Sequence, residues 1–403
     1  MALISIGKMK EIMDIPESAE ILLNKPAKEI KFPLKLKTSK DGFICFDAFV
    51  VYHNVAIGPA KGGIRFSSHA TLEETKKLAE IMSYKNALMG LPFGGGKSGI
   101  QFDPYKVDNF TRVAIVKEYV HQIKDELYSS AYIPAPDMGS IPNDMAVIYG
   151  ETGMPESVTG KPVAVGGLPG RLQATGRGIS RAIKLGSEKL LRKSLKDTEI
   201  VIQGFGNVGR WTAYALKEMD AKIIAVQDAG GAIYNKKGLD IDALFKHSPN
   251  SNDTVKGFSG AEELSSDDFF SLKCDIFIPA ALENVITEKT APKLNTKMVV
   301  EGANDPTTEE GEKILLDKGI IVLPDFFANS GGVVASYIEW RNAKSGNQLS
   351  EGEVYEIINN KIEYAFFAGL KKKEELKSES LREAFFALSL NAIIEAMRAR
   401  MWI

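Results

Sequence analysis

Glu199-Ile200-Val201-Ile202-Gln203-Gly204-Phe205-Gly206-Asn207-Val208-Gly209 is the stretch that decides how the second half of this chain folds. Glu199 to Gln203 reads as a short buried strand, and the glycines that follow have the Gly-x-Gly-x-x-Gly spacing. A helix is expected from Trp211 to Met219, and a second strand from Lys222 to Gln227 ends on Asp228. A lone glycine triplet means little. Between a strand and a helix, with an acid about twenty residues beyond, it is the whole dinucleotide fingerprint. Glycine lets backbone approach a pyrophosphate, and the N-terminus of the helix supplies partial positive charge. Gly204, Gly206, Asn207, Val208 and Gly209 are therefore cofactor-binding candidates, and Asp228 is the candidate acceptor for ribose hydroxyls. An acid there favours NAD slightly over its 2'-phosphorylated form, although Lys236 and Lys237 lie close by in sequence.

Downstream, Cys274 to Ile278, Met298 to Val300 and Ile320 to Leu323 read as further strands, each ending in a small or polar loop. A parallel sheet binds its ligand outside the carboxyl ends of its strands. Ala280, Asn304 and Asn329, in or next to those loops, join the cofactor candidates, with Asn304 placed to bond a carboxamide. Ser336 lies in the helix that begins near Gly331, and an amphipathic helix runs from Leu381 to the end.

The first half carries a different theme, lysine among glycines. Phe43 to Tyr52 reads as a strand, and Gly58-Pro59-Ala60-Lys61-Gly62-Gly63 breaks its pattern. Leu91-Pro92-Phe93-Gly94-Gly95-Gly96-Lys97-Ser98-Gly99-Ile100 reads as a glycine-rich loop. It is not a phosphate loop, because Leu91 occupies the position where that motif needs glycine. Between these loops, Thr71 and Glu74 form the signature of a capping box opening a helix. On that helix Lys85 is surrounded one turn away by Ile81, Met82, Leu88 and Met89, which puts an ammonium in the buried stripe. Asp137, in Pro134-Ala135-Pro136-Asp137-Met138-Gly139, is a carboxylate held stiffly ahead of a helix starting near Pro142. It reads equally as a turn residue and as a proton carrier. Three such lysines imply an anionic substrate. Two of them could grip two carboxylates, leaving the third to activate water if its surroundings lower its pKa.

Composition narrows the field. The 403 residues suit two domains, and 44% hydrophobic with 25% charged residues is the balance of a globular protein. A net charge of -2 and a pI near 6.2 leave no footprint for nucleic acid. Cys45 and Cys274 are far apart and read as buried free thiols, and the four histidines have no ligand spacing, so no metal is expected. Neither a signal sequence at Met1 to Ile6 nor a membrane-length apolar run is seen, so a cytoplasmic protein is expected.

Taken together, these motifs resemble the glutamate dehydrogenases of the Glu/Leu/Phe/Val dehydrogenase superfamily. Gly58 to Phe66, Leu91 to Ile100, Pro134 to Asp137, Ala174-Thr175-Gly176-Arg177-Gly178, Gly204 to Gly209, Glu301-Gly302-Ala303-Asn304 and Asn329 to Ser336 carry the resemblance, in that order. It implies an α/β fold of two domains, an N-terminal α/β substrate-binding domain and a Rossmann-type dinucleotide-binding domain. The expected division is 1–178, with C-terminal helices from about 375–403 returning to it, and 179–374. Residue by residue, the resemblance implies that Lys97 is the catalytic amine and Asp137 the proton carrier. Lys85 would hold the α-carboxylate, Lys61 and Ser336 the side-chain carboxylate, and Thr175 and Asn304 the nicotinamide end. It also implies a homohexamer. Three positions depart from the pattern: Ser98 and Asp305 stand where glycine is usual, and Gln173 where glutamate is usual.

The reaction so implied is reversible oxidative deamination of L-glutamate to 2-oxoglutarate and ammonia with NAD or NADP. A branched-chain or aromatic amino-acid dehydrogenase of the same superfamily is the nearest alternative, and Lys61 argues against it, since an apolar pocket gains nothing from a desolvated ammonium. A non-catalytic sensor of NAD and glutamate is the other, and Lys97 with Asp137 argues against that.

Overall fold

The computed structural model describes residues 4–37 and 42–403. The leader reading of Met1 to Ile6 therefore begins outside the described residues. Chain contacts divide the protein into two units. One comprises Ser5–Arg171, Val333–Val354 and Ala387–Ile403, and the other comprises Leu172–Gly332 and Tyr355–Phe386. The first boundary between the units falls at 171/172, just ahead of the helix Ala174–Lys189.

In the first unit, strands β1 (Lys28–Lys37), β2 (Phe43–Tyr52), β3 (Ala60–Phe66), β4 (Gly94–Ile100) and β5 (Tyr132–Pro136) form one mixed sheet in the order β1-β2-β4-β3-β5. Helices α1 (Leu72–Leu88), α2 (Asn109–Gln122) and α3 (Pro142–Thr152) accompany it. Leu34, Val50, Ile64, Ile100, Ile115, Tyr119 and Tyr132 are among the side chains of its buried core. The glycine stretch expected as a loop is the central strand. β4 pairs antiparallel with β2 and parallel with β3, and all seven of its residues are buried. Glycine serves close packing here rather than a turn: a Cβ on Gly95 would lie 2.1 Å from Ser83 Oγ and 2.3 Å from the Ala79 carbonyl on α1. Lys61 and Pro134 likewise lie in strands, β3 and β5. The Thr71 hydroxyl caps α1 by accepting from Glu74 N–H, but the reciprocal half of the box is missing, because the Glu74 carboxylate turns to Arg65.

The second unit contains β6 (Glu199–Gln203), β7 (Lys222–Gln227), β8 (Ala232–Tyr234), β9 (Glu262–Leu264), β10 (Ile276–Pro279), β11 (Met298–Val300) and β12 (Ile321–Leu323). Their order is β12-β11-β10-β6-β7-β8-β9. The strands from β12 to β7 are parallel, and β8 and β9 append an antiparallel edge. Helices α4 (Ala174–Lys189), α5 (Asn207–Lys217) and α6 (Glu309–Asp317) belong to this unit, and three later helices are each divided between the two units: α7 (Gly331–Ser345), α8 (Glu351–Leu376) and α9 (Leu381–Ala399). After β6 the chain adds β7 on one side and later returns to add β10 on the other, so the strand order reverses between β6 and β10. A crevice opens at such a point in a parallel sheet.

Cys274 is buried, but Cys45 is exposed, since it lies at the outer end of β2 where the sheet is uncovered. Among the described residues no helix is long and apolar enough to cross a membrane, and no group of His, Cys, Asp and Glu could hold a metal ion.

Candidate active site

Strand alternation builds the site of the first unit. Along β3, Lys61, Gly63 and Arg65 share one face, and along β4, Gly95, Lys97 and Gly99 do. Gly95 and Gly99 pack on α1, so Lys97 emerges on the side that α1 covers. Asp137 follows β5 directly. Its backbone N–H donates to Ser140 Oγ, and the Ser140 hydroxyl donates on to the Ile64 carbonyl, which ties the turn to β3. Gly63 makes room for it, since a Cβ there would sit 2.6 Å from the Asp137 Cβ.

These elements bring Lys97 Nζ to 3.0 Å from Asp137 Oδ1, with both residues largely buried. Asp137 Oδ2 takes a second cation, Arg65 Nε, at 3.0 Å. Burial works to raise the carboxyl pKa of Asp137, but Lys97 and then Arg65 outweigh it and hold the group at about 2. Asp137 is thus a carboxylate throughout the ordinary pH range.

Lys61 is also buried, and among the described residues its ammonium makes one hydrogen bond, a long 3.5 Å contact to the Pro134 carbonyl. Burial first, then the Arg171 guanidinium, then Lys161 and Lys97, push its ammonium down to about 7, with Glu339 opposing. Arg171 was not legible as a site residue. Its buried Nε has no hydrogen-bond partner among the described residues. Two cations so placed, one poorly bonded and one with an unpaired donor, make a site for an anion. Lys85 is buried in the last turn of α1. Ser336 is buried on α7, one turn before Glu339. Glu339 fixes that helix from within the unit: it pairs with Lys161 Nζ at 2.8 Å and accepts the backbone N–H groups of Gly160 and Lys161.

The second unit offers a cradle between β6 and β10. Gly204 has φ +101, and a Cβ on it would press against Ala280 and Ala281 at 2.7–2.8 Å. A Cβ on Gly209 would lie 1.8 Å from the Gly204 carbonyl, whereas Gly206 faces open space. Gly206 caps α5 with no side-chain acceptor, so the first N–H groups at Asn207 and Val208 keep their donor capacity for an anion. These residues fit the pyrophosphate of a dinucleotide. Asn304 Oδ1 accepts from Asn329 Nδ2 at 3.0 Å, and Asn329 also reaches the carbonyls of Gly302 and Ala303. Asn329 thereby orients Asn304. Thr175 lies in the first turn of α4. Asp305 adopts the left-handed φ of +51, and its N–H donates to Asp325 Oδ2, so the turn that usually takes glycine is formed. Ser98 bonds the Tyr119 hydroxyl at 2.7 Å, and Gln173 accepts from Arg177.

Asp228 has an occupation of its own. Oδ1 accepts from the N–H groups of Gly230 and Gly231 and from the Thr254 hydroxyl, and Oδ2 accepts from Val255 N–H at 2.6 Å. A carboxylate has about four lone-pair sites. Two of the four contacts come from its own turn and two from the Thr254–Val255 segment, so most of that capacity is used within the protein.

A buried amine–carboxylate pair beside an anion pocket in one unit, and a dinucleotide cradle in the other, define the class: an NAD(P)-dependent dehydrogenase of a carboxylate-bearing substrate. The family described as Glutamate/Leucine/Phenylalanine/Valine dehydrogenase matches residues 166–400, and its dimerisation domain matches residues 26–154. The NADP-specific glutamate dehydrogenase of Saccharolobus shibatae is 36% identical over 400 residues, covering 98% of this chain and 94% of the relative. The crystal structure of glutamate dehydrogenase from Peptoniphilus asaccharolyticus is similar with a TM-score of 0.88 at 32% identity, covering 99% of this chain and 98% of that one. The hetero-hexameric glutamate dehydrogenase of Thermus thermophilus, in its Leu-bound form, has a TM-score of 0.90 at 28% identity over 98% and 94% of the two chains. This chain belongs to the Glutamate/Leucine/Phenylalanine/Valine dehydrogenase family.

Proposed function

We propose that the chain catalyses the reversible oxidative deamination of L-glutamate to 2-oxoglutarate and ammonia with NAD or NADP. The observation that carries the choice of substrate is Lys61, buried with one long hydrogen bond and with the Arg171 guanidinium acting on it. A leucine or phenylalanine side chain delivered there would leave both cations desolvated and unpaired. A side-chain carboxylate satisfies them.

In this reading Lys61, Arg171 and Ser336 receive the side-chain carboxylate, and Lys85 the α-carboxylate. The bound cofactor supplies the acceptor for the hydride that leaves Cα. Lys97, bonded to Asp137, activates the water that attacks the resulting imine, and Asp137 carries protons to and from the amino nitrogen. Thr175, Asn304 and Ala280 serve the nicotinamide side, and Asn329 supports Asn304. The bonds that Asp228 accepts from its own turn and from Thr254 and Val255 leave it poorly placed to take both ribose hydroxyls, which supports use of both cofactors rather than of NAD alone. The chain acts as a homohexamer in the cytoplasm; the Thermus relative supports the six-subunit count, being itself hetero-hexameric. Initial rates with glutamate, leucine and phenylalanine, each with NAD and with NADP, test the assignment. Glutamate is expected to exceed the others by two orders of magnitude or more (about 3 kcal/mol of discrimination). Comparable rates with leucine would overturn it.

A further inference from the structure

Lys97 and Asp137 account for one side of the proton-transfer pair, but Asp137 has a second partner that the reaction as written does not use. Arg65 is the penultimate residue of β3, and its side chain is only partly exposed. Its Nε donates to Asp137 Oδ2 at 3.0 Å, and its Nη1 donates to Glu74 Oε1 at 2.5 Å. Glu74 lies in the first turn of α1 and owes its direction to this bond rather than to the helix cap. The four charges form a chain from α1 across β3 to the turn after β5 and back to β4: Glu74, Arg65, Asp137, Lys97.

A carboxylate that swaps protons with a substrate nitrogen must present one oxygen at a fixed angle. Lys97 alone cannot fix it, because one ammonium on one oxygen leaves the carboxylate free to rotate about its bond to Cβ. A cation on each oxygen removes that freedom. The guanidinium does so rigidly, because its planar fork is itself held at the far end by Glu74.

We propose that Arg65, anchored by Glu74, is a positioning residue for Asp137: it locks the rotation of the carboxylate so that the oxygen facing Lys97 is the one that exchanges protons. The inference rests on the reading of Asp137 as proton carrier. Besides Arg65 and Lys97, Tyr132 of β5, whose buried hydroxyl donates to the Gly62 carbonyl, interacts with Asp137, and Glu74 acts on it through Arg65. The removal of Arg65 takes away one of the two cations on the carboxylate, so its pKa rises toward the ordinary range.

The test uses the full-length enzyme and glutamate turnover across pH. Arg65→Gln is expected to lower kcat by about 10- to 100-fold, the scale of a small misplacement of a reacting group, with the glutamate KM within about threefold. Its acid limb moves to higher pH by about one unit or more, as loss of one adjacent cation requires. Arg65→Lys keeps the charge but not the fork, so its acid limb stays near wild type while kcat stays low. That split separates positioning from charge. A folded Arg65→Gln enzyme with wild-type kcat and acid limb overturns the proposal. Should Arg65→Gln not fold, Glu74→Ala decides: a several-fold fall in kcat at unchanged glutamate KM supports the anchor, and wild-type kcat overturns it. Asp137→Asn distinguishes this from the failure of the underlying reading. If that variant keeps its activity, Asp137 is not the proton carrier; if it is inactive while Arg65→Gln is normal, only the role of Arg65 fails.

Discussion

Lys61 shows how one side chain couples substrate choice to stability. Its folded-state value of about 7 lies below the ordinary lysine value of 10.5. The cost of its charged form is therefore complete below pH 7 and fades as pH rises toward 10.5, the window in which the unfolded chain holds a proton that the folded chain has lost. Lys61→Met is expected to melt higher than wild type at pH 7, with the gap closing toward pH 10. Its glutamate KM should rise roughly 10- to 100-fold, the scale of one charge-assisted bond. Binding of 2-oxoglutarate should restore the ammonium, so calorimetry at pH 8 in two buffers of different ionisation enthalpy should report proton uptake in wild type and none in Lys61→Met. Equal proton uptake in both would place the anion elsewhere. For Lys97→Ala, a fall in kcat of about 10²–10⁴-fold is expected, the range of a lost acid–base group, in a variant that still folds and keeps its NADH affinity but melts lower, because Asp137 loses one of its two cations. Turnover near wild type would remove the amine from the chemistry.

At the level of elements, the sequence is most legible where apolar runs meet clear punctuation. Strands 43–52, 199–203, 222–227 and 298–300 have the ends that their residues imply, and the glycine turn after Gln203 sits on the sheet where its fingerprint requires. Composition misleads where glycine and proline line strands. β4 contains Gly94, Gly95, Gly96 and Gly99, β3 contains Gly62 and Gly63, and β5 contains Pro134 and Pro136. Each reads as loop because β propensity describes side chains on a pleated surface; in β4 the missing side chains at Gly95 and Gly99 let α1 press on the sheet, and in β3 Gly63 makes room for Asp137. Arg65 and Arg171 stayed hidden for a related reason. Once β3 is recognised as a strand, alternation aligns Arg65 with Lys61, but read as a loop it gives no face. Arg171 lies just before α4 and meets Lys61 only through tertiary structure. Gly95→Ala tests the packing argument, since a methyl there meets the backbone of α1 at Ala79 as well as Ser83. A loss of about 3 kcal/mol or more in denaturant unfolding is expected, because backbone rather than a flexible side chain must move. Gly206→Ala, whose Cβ would face open space, should leave stability nearly unchanged while weakening cofactor binding.

The molecule as a whole leaves large aromatic surface uncovered on the first unit. Tyr105 is 91% and Phe110 85% exposed, only a few residues apart where the chain enters α2, and Phe43 is 74% exposed at the outer end of β2. Scattered apolar residues need no account, but paired aromatics at these exposures are uncommon on a monomer. Strand-to-strand extension of the sheet is the less apt remedy. The edge strand β1 carries Lys28, Lys31, Lys35 and Lys37 with Pro33 at its centre, the residues that keep sheet edges from pairing. Cover by the side chains of a second copy is what remains, and each aromatic ring buried that way contributes about 1.5–3 kcal/mol. Phe110→Asp combined with Tyr105→Asp would place two charges in the apolar centre of such a contact. Light scattering of the wild type is expected to give a particle of about six times the 44.0 kDa chain. The double variant should give a smaller species that keeps the wild-type affinity for NADH, because the cradle at Gly204 to Gly209 belongs to the other unit. A double variant of unreduced mass would show that these rings face solvent in the assembly and that its contacts are made elsewhere.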